Sequence, residues 1–189
     1  MPTLTVLAGP NGSGKSTLTA RLNLGPRENL VDPDAIAREL DPVDPSRAAL
    51  SAGRETIHRC RIFVETGADF VLETTLAGNS AIAVMRSAKA ANYHIRLIYI
   101  ALNDATLNIQ RVRARFSMGG HDVPDEDIVR RYERSQRNFA SAAGLADESA
   151  VFDNSGEEIR PIAELAGLEV IWQAAELPAW AEKILLDLR

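Results

Sequence analysis

Residues Gly9 to Thr17 read GPNGSGKST, and no other stretch of the chain narrows its possible folds so sharply. The run satisfies G-x-x-x-x-G-K-[ST], with Gly9, Gly14, Lys15 and Ser16 at the fixed positions and a further glycine, Gly12, inside it. At ordinary amino-acid frequencies a chance match arises in roughly 1% or fewer of chains this long. Before it, TLTVLA alternates β-branched and apolar residues as a short buried strand does; after it, STLTARL reads as a helix. Strand, glycine loop and helix in that order turn successive backbone N–H groups toward one anion, and the helix adds the positive end of its dipole. The loop residues Gly9, Pro10, Asn11, Gly12, Ser13, Gly14, Lys15, Ser16 and Thr17 are therefore expected to bind a nucleotide cofactor, ATP. Lys15 is expected to reach the β- and γ-phosphates, and the Ser16 hydroxyl to take one position on Mg²⁺.

A chain of 189 residues with 46% hydrophobic content fits one domain with a sizeable core. The net charge of −5 and a pI near 5.3 argue against a broad basic surface for duplex binding, so nucleic acid is not an expected partner. Cys60 is the single cysteine and reads as a buried thiol. No apolar run approaches the length of a membrane span, and the sequence reads as a soluble cytoplasmic protein.

Periodicity gives a coarse order of elements. A short strand ends at Val31, followed by a turn at Pro33 and a helix from Asp34. Helical spacing runs from Pro45 to about Glu65, with Gly67 as the stop. DFVLETT is a buried strand, NSAIAVMRSAKAA a helix capped by Asn79 or Ser80, and HIRLIYIAL a strand. Asp104 caps a helix to about Phe116, Pro124 opens another, and AVFDNS is a further strand. The tail reads as two short strands or a hairpin and a closing helix, with Trp172, Trp180 and Leu185 in either core or interface. Strands alternating with helices imply an α/β fold with a mainly parallel sheet and helices on both faces. Ligands then sit beyond the carboxyl ends of the strands.

Polar groups collect at those ends. Asp34, in the first turn of a helix directly after a strand, is the candidate catalytic base for an acceptor hydroxyl, with Asp32 beside it as a substrate contact or cap. Glu73, straight after a buried strand, is placed to hold Mg²⁺ through water or to touch substrate, and Thr75 and Asn79 to contact a polar substrate. Arginines gather between 111 and 137. Arg111 and Arg115 lie one turn apart, Arg130, Arg134 and Arg137 share the next helix face, and the glycine-bearing loop between reads as a hinge, so this segment reads as a lid. Arg111 is the first candidate for a catalytic contact to the γ-phosphate and Arg113 the second, while Arg130, Arg131 and His121 are candidate substrate contacts.

GPNGSGKST, VDPDAIA, AGRETI, FVLETTLAG, GGHDVPDEDIVRRYERSQRN and VFDNSG follow one another across residues 3 to 156. As a set they resemble the zeta-toxin-like P-loop kinases. The resemblance implies a three-layer, nucleotide-kinase-like P-loop NTPase fold over 1–189 with a helical lid near 111–137. It implies that Lys15, in the Walker A loop, binds ATP, that Asp34 is the base, and that Glu73, Thr75 and Glu55 line the substrate site. It further implies UDP-N-acetylglucosamine as acceptor and an antitoxin protein as partner. His121 stands where those toxins carry a second lid arginine, with Arg130 or Arg131 as its substitute. Two other readings compete: a nucleotide-dependent ATPase or switch, and a weakly active toxin homologue that works by binding a protein. The guanine motif N-K-x-D and the L-S-G-G-Q signature are not found in the sequence.

Overall fold

The computed structural model describes residues 1–22, 29–117 and 123–188. Seven strands form one sheet in the order β2-β3-β1-β4-β5-β6-β7. They are β1 (Thr3–Ala8), β2 (Leu30–Val31), β3 (Phe70–Thr74), β4 (His94–Ala101), β5 (Glu148–Asp153), β6 (Arg160–Ala166) and β7 (Glu169–Gln173). The first five pair in parallel, and the tail hairpin β6–β7 continues the sheet antiparallel. The helices are α1 (Lys15–Leu22), α2 (Pro33–Leu40), α3 (Ala49–Thr66), α4 (Ser80–Ala90), α5 (Ala105–Ser117), α6 (Asp125–Ala143) and α7 (Ala179–Leu186). This is the expected P-loop NTPase-like α/β arrangement.

The period-2 alternation of the strands divides the core. Leu4, Val6 and Ala8 of β1, with Leu97, Tyr99 and Ala101 of β4, join the large cluster under α2, α3, α4, α6 and α7. Leu7, Ile98 and Ile100 face the other way, where Leu18 of α1 covers them. The Tyr99 ring meets Phe139 at 5.0 Å and Trp180 at 6.1 Å between centroids, so Trp180 and Leu185 belong to the core. Trp172 is 44% exposed on β7, beside an irregularity in the β6–β7 register.

Some boundaries differ from the sequence expectation. Helix α3 begins at Ala49 rather than Pro45, because the N–H groups of Arg47, Ala48 and Ala49 bond three residues back, to the carbonyls of Asp44, Pro45 and Ser46 at 3.1, 3.1 and 3.3 Å, and make tighter turns ahead of the α-helix. Asn79 precedes α4 without a side-chain capping bond and contributes only its carbonyl, to Ala83 N–H at 2.9 Å. Asp104 does cap α5, accepting the Leu107 N–H at 3.0 Å.

The segment expected to form one lid divides in two. Val112 of α5 packs with Val123 and Ile128 in a small cluster of their own. Further along α6, Phe139, Ala142 and Ala143 lie in the main core and the Ser135 hydroxyl meets that of Tyr99 at 3.1 Å. Asn138 Nδ2 donates to the Leu76 carbonyl at 2.8 Å, and the Tyr132 hydroxyl lies 3.0 Å from the Leu102 and Asn103 carbonyls. From about Tyr132 onward α6 is rooted in the body. Among the described residues, no helix is long and apolar enough to cross a membrane.

Candidate active site

Three glycines shape the loop after β1. Gly9, Gly12 and Gly14 have φ of 150°, 74° and 102°, and a Cβ on each would fall 2.0 Å from the Ile100 carbonyl oxygen, 2.8 Å from the Asn108 carbonyl oxygen and 2.4 Å from Asn154 Nδ2. The loop is thus pressed against β4, α5 and the end of β5 with no room for side chains. It is also bolted in place: Gly9 N–H donates to the Thr74 carbonyl at 3.2 Å, Asn154 Nδ2 to the Ser13 carbonyl at 2.8 Å, and Asn108 Nδ2 to the Asn11 carbonyl. Arg131 donates to Asn11 Oδ1 at 3.3 Å.

Lys15 opens α1 and is buried, its ammonium donating to the Gly9 and Pro10 carbonyls at 2.8 and 3.1 Å. Burial lowers its pKa from the usual lysine value, against the pull of Glu73, Asp34 and Asp32. Burial likewise raises Glu73, with Lys15 opposing, and raises Asp32, whose second cause is the charge of Asp34. Asp32 caps α2 by accepting the Asp34 N–H at 2.9 Å, and the same residue borders both cavities that meet at this site. Ser16 Oγ stands 3.5 Å from Glu73 Oε1. One cation thus sits among three carboxylates at the carboxyl ends of β1, β2 and β3.

Two cavities meet there. A cleft of about 620 Å³ is lined by Thr75, Arg130, Arg131 and Arg134 and by the small-residue face of α3. A second, of about 440 Å³, is lined by Gly12, Gly14, Ser16, Thr17, Arg111, Arg115 and Asn154. Asn11, Lys15, Asp32, Asp34, Arg38 and Glu73 border both. The loop-side cavity has the backbone donors and cations a polyphosphate requires, and the larger cleft lies across the carboxylates from it. Gly9, Pro10 and Ser13 do not line either cavity; they form the underside of the loop.

Not every expected residue comes together. Arg113 points away from the loop and pairs with Asp125 across the α5–α6 junction. Glu55 is also outside the cleft: Arg59 holds its carboxylate at 2.9 Å and binds Glu39 at the same distance, joining α3 to α2 along their outer side. Arg137 is exposed and lines neither cavity. His121 lies outside the described residues. Sequence reasoning missed Arg38, which follows Asp34 by one helical turn, a spacing that puts both on one face. It also missed Asn108 and Asn154, whose part is to hold loop carbonyls from behind. A strand-end position was the available signal for Asn154.

Comparison with known proteins adds the family. The model of the AAA domain (AAA_33) matches residues 4–150, more than half of the chain. The chain belongs to that family. The matched region runs from β1 to the first half of β5 and carries the glycine loop and the carboxylates. An uncharacterized protein of Haemophilus influenzae is 36% identical over 124 residues, covering 66% of this chain and 88% of its own length. A chain of the AvrRxo1-ORF1:AvrRxo1-ORF2 complex crystallised with ATP superposes with a TM-score of 0.69 at 16% identity over 98% of this AAA domain protein. This chain spans only 64% of the length of that one. A structure of the PezAT chromosomal toxin–antitoxin system of Streptococcus pneumoniae gives a TM-score of 0.60 at 13% identity, covering 100% of this chain and 84% of the other. These likenesses establish a shared fold.

Proposed function

We propose that the chain is an ATP-dependent phosphotransferase that moves the γ-phosphate to a hydroxyl of a small molecule, with UDP-N-acetylglucosamine as leading acceptor. The observation that carries this reading is the junction of two cavities at Lys15 and Asp34, one suited to a triphosphate and the other open to a second substrate. A second cavity that meets the nucleotide side at these residues favours transfer to an acceptor over a switch or simple ATPase.

In this reading ATP lies along the loop, and the Lys15 ammonium leaves the Gly9 and Pro10 carbonyls for the β- and γ-phosphate oxygens. Asp34 accepts the proton of the acceptor hydroxyl as its oxygen attacks the γ-phosphorus; the bond to the β,γ-bridging oxygen breaks and ADP leaves. Arg111 and Arg115 neutralise the nucleotide side, and Arg130, Arg131 and Arg134 take an anionic part of the acceptor. Thr75 adds a hydroxyl contact on the acceptor side.

Magnesium fits the donor set. Among the described residues no group of three or more His, Cys, Asp or Glu side chains is arranged to hold a metal alone. Mg²⁺ on a nucleotide needs no such cage, because phosphate oxygens and water fill most of its six positions. Ser16 would supply one ligand directly, with Glu73 and Asp32 reached through water; the ion supplies charge neutralisation when bound. The protein–protein complexes named for the AvrRxo1 and PezAT structures support testing for an antitoxin-like partner.

The experiment is ATP consumption by purified protein with Mg²⁺, with and without UDP-N-acetylglucosamine, beside Asp34→Asn and Lys15→Ala. Phosphorylated sugar nucleotide from the wild type, reduced about 10²- to 10⁴-fold in Asp34→Asn with ATP binding retained, is the expected result. Equal turnover in Asp34→Asn and wild type overturns the assignment of the base.

A further inference from the structure

Gly53 is the one glycine inside a helix among the described residues, five positions into α3. Glycine disfavours a helix interior more than any residue except proline, so its presence there needs a reason. A left-handed backbone is not the reason: Gly53 is absent from the positive-φ positions. Crowding is not the reason either, because a Cβ built on it meets no atom within 4 Å. The contrast with Gly9, Gly12 and Gly14, where a Cβ collides, is complete.

What Gly53 does face is the larger cleft. Ala49, Ala52 and Thr56 line the same wall, and Arg130, Arg131 and Arg134 line the cleft with them. Gly78, in the β3–α4 loop, borders that cleft too, again with no positive φ and no atom within 4 Å of an added Cβ. Two glycines that the fold does not require therefore border one cavity.

We infer that Gly53 is a specificity-determining residue for the acceptor. Its bare backbone is the resting place for one face of a ring, a nucleobase or a sugar, whose anionic end meets the arginines of α6. A nucleoside diphosphate derivative has both parts. The inference rests on the phosphotransferase reading, since it takes the larger cleft as the acceptor's.

The test compares wild type, Gly53→Ala and Gly53→Leu in the full chain. Three quantities are read: Tm without ligand, affinity for a non-hydrolysable ATP analogue, and affinity for UDP-N-acetylglucosamine with that analogue bound. Gly53→Ala is expected to raise Tm by a few degrees, on the order of the helix-propensity gain. Both variants keep the ATP-analogue affinity within about twofold, while Gly53→Leu weakens sugar-nucleotide binding about tenfold or more and Gly53→Ala weakens it less. A lower Tm in Gly53→Ala, or unchanged sugar-nucleotide affinity in Gly53→Leu, overturns the inference. Wild type that binds the sugar nucleotide without transferring phosphate defeats the phosphotransferase reading alone, and the comparison of variants still decides the role of Gly53. Wild type that binds no sugar nucleotide, and no UDP in its place, overturns the ring site itself.

Discussion

Asn154 Nδ2 stands 2.4 Å from the point a Cβ on Gly14 would occupy, and from there it donates to the Ser13 carbonyl at 2.8 Å. The residue that follows β5 thus both requires a glycine in the loop and fixes the carbonyl before it. Gly14→Ala adds strain at φ 102° to this collision and is expected to lose about 2 kcal/mol or more of stability. Asn154→Ala opens space but orphans the Ser13 carbonyl, costing about 1–2 kcal/mol. Thermal denaturation of both variants, with and without ATP, checks the order; an unaltered Tm in Gly14→Ala contradicts it.

Lys15 makes opposite demands on stability and function. Its pKa is held below the ordinary 10.5 by burial, so the unfolded chain binds more protons than the folded one between the lowered value and 10.5. Without nucleotide, the stability contributed by this residue therefore rises with pH through that window and is lost as pH falls through the lowered value. Lys15→Met removes that slope while lowering ATP affinity by about two orders of magnitude. Denaturation curves across the alkaline range distinguish the two proteins.

Cys60 is 1% exposed in the main core and burial pushes its thiol up to about 12. The native protein is expected to resist iodoacetamide at pH 8 and to be labelled only as it unfolds, because the thiolate is the nucleophile. Rapid labelling of folded protein would show that α3 opens away from the sheet.

The arginines sort by where they point. Arg38 borders both cavities and its one ion pair among the described residues is a long contact of 3.8 Å to Asp32, leaving its donors available at the junction. Arg38→Ala is expected to lower phosphoryl transfer by about 10- to 10³-fold with Lys15 and Asp34 intact. Arg113→Ala, which breaks only the exposed pair with Asp125, is expected to change ATP affinity by less than about twofold. Steady-state kinetics on the pair tests the assignment; equal losses refute it.

Much of the fold was legible because β1, β3 and β4 each carry an apolar run, Val6–Ala8, Phe70–Leu72 and Leu97–Ala101, as strands buried on both faces do. The loop was legible because its glycines are set by local backbone geometry, and the place of Asp34 at the border of both cavities because a carboxylate follows a strand end. Arg113 misled for a different reason: on a helix, one step of sequence turns a side chain by about 100°, so neighbours in an arginine-rich stretch face different surroundings. Glu55 was carried by resemblance; its pair with Arg59 is an i,i+4 contact within α3, whereas the Arg59–Glu39 pair depends on where α2 packs, which no local pattern reports. Asn108 and Asn154 act across long sequence separations, and only the assembled sheet brings them to the loop.

The rooting of α6 in the core also ties the arginine-lined wall of the larger cleft to the stability of the whole chain. Arg130, Arg131 and Arg134 ride on a helix whose far end is locked by Ser135, Asn138 and Phe139. Their backbone is ordered at folding, so little of that ordering remains to be done when an anion arrives. Arg130 and Arg131 both pair with Asp127, and Arg134 has no ion pair among the described residues. Under the proposed function, an anionic acceptor held by these arginines would act as a folding ligand, because it would bind the folded chain and not the unfolded one, and the occupied chain would be harder to unfold.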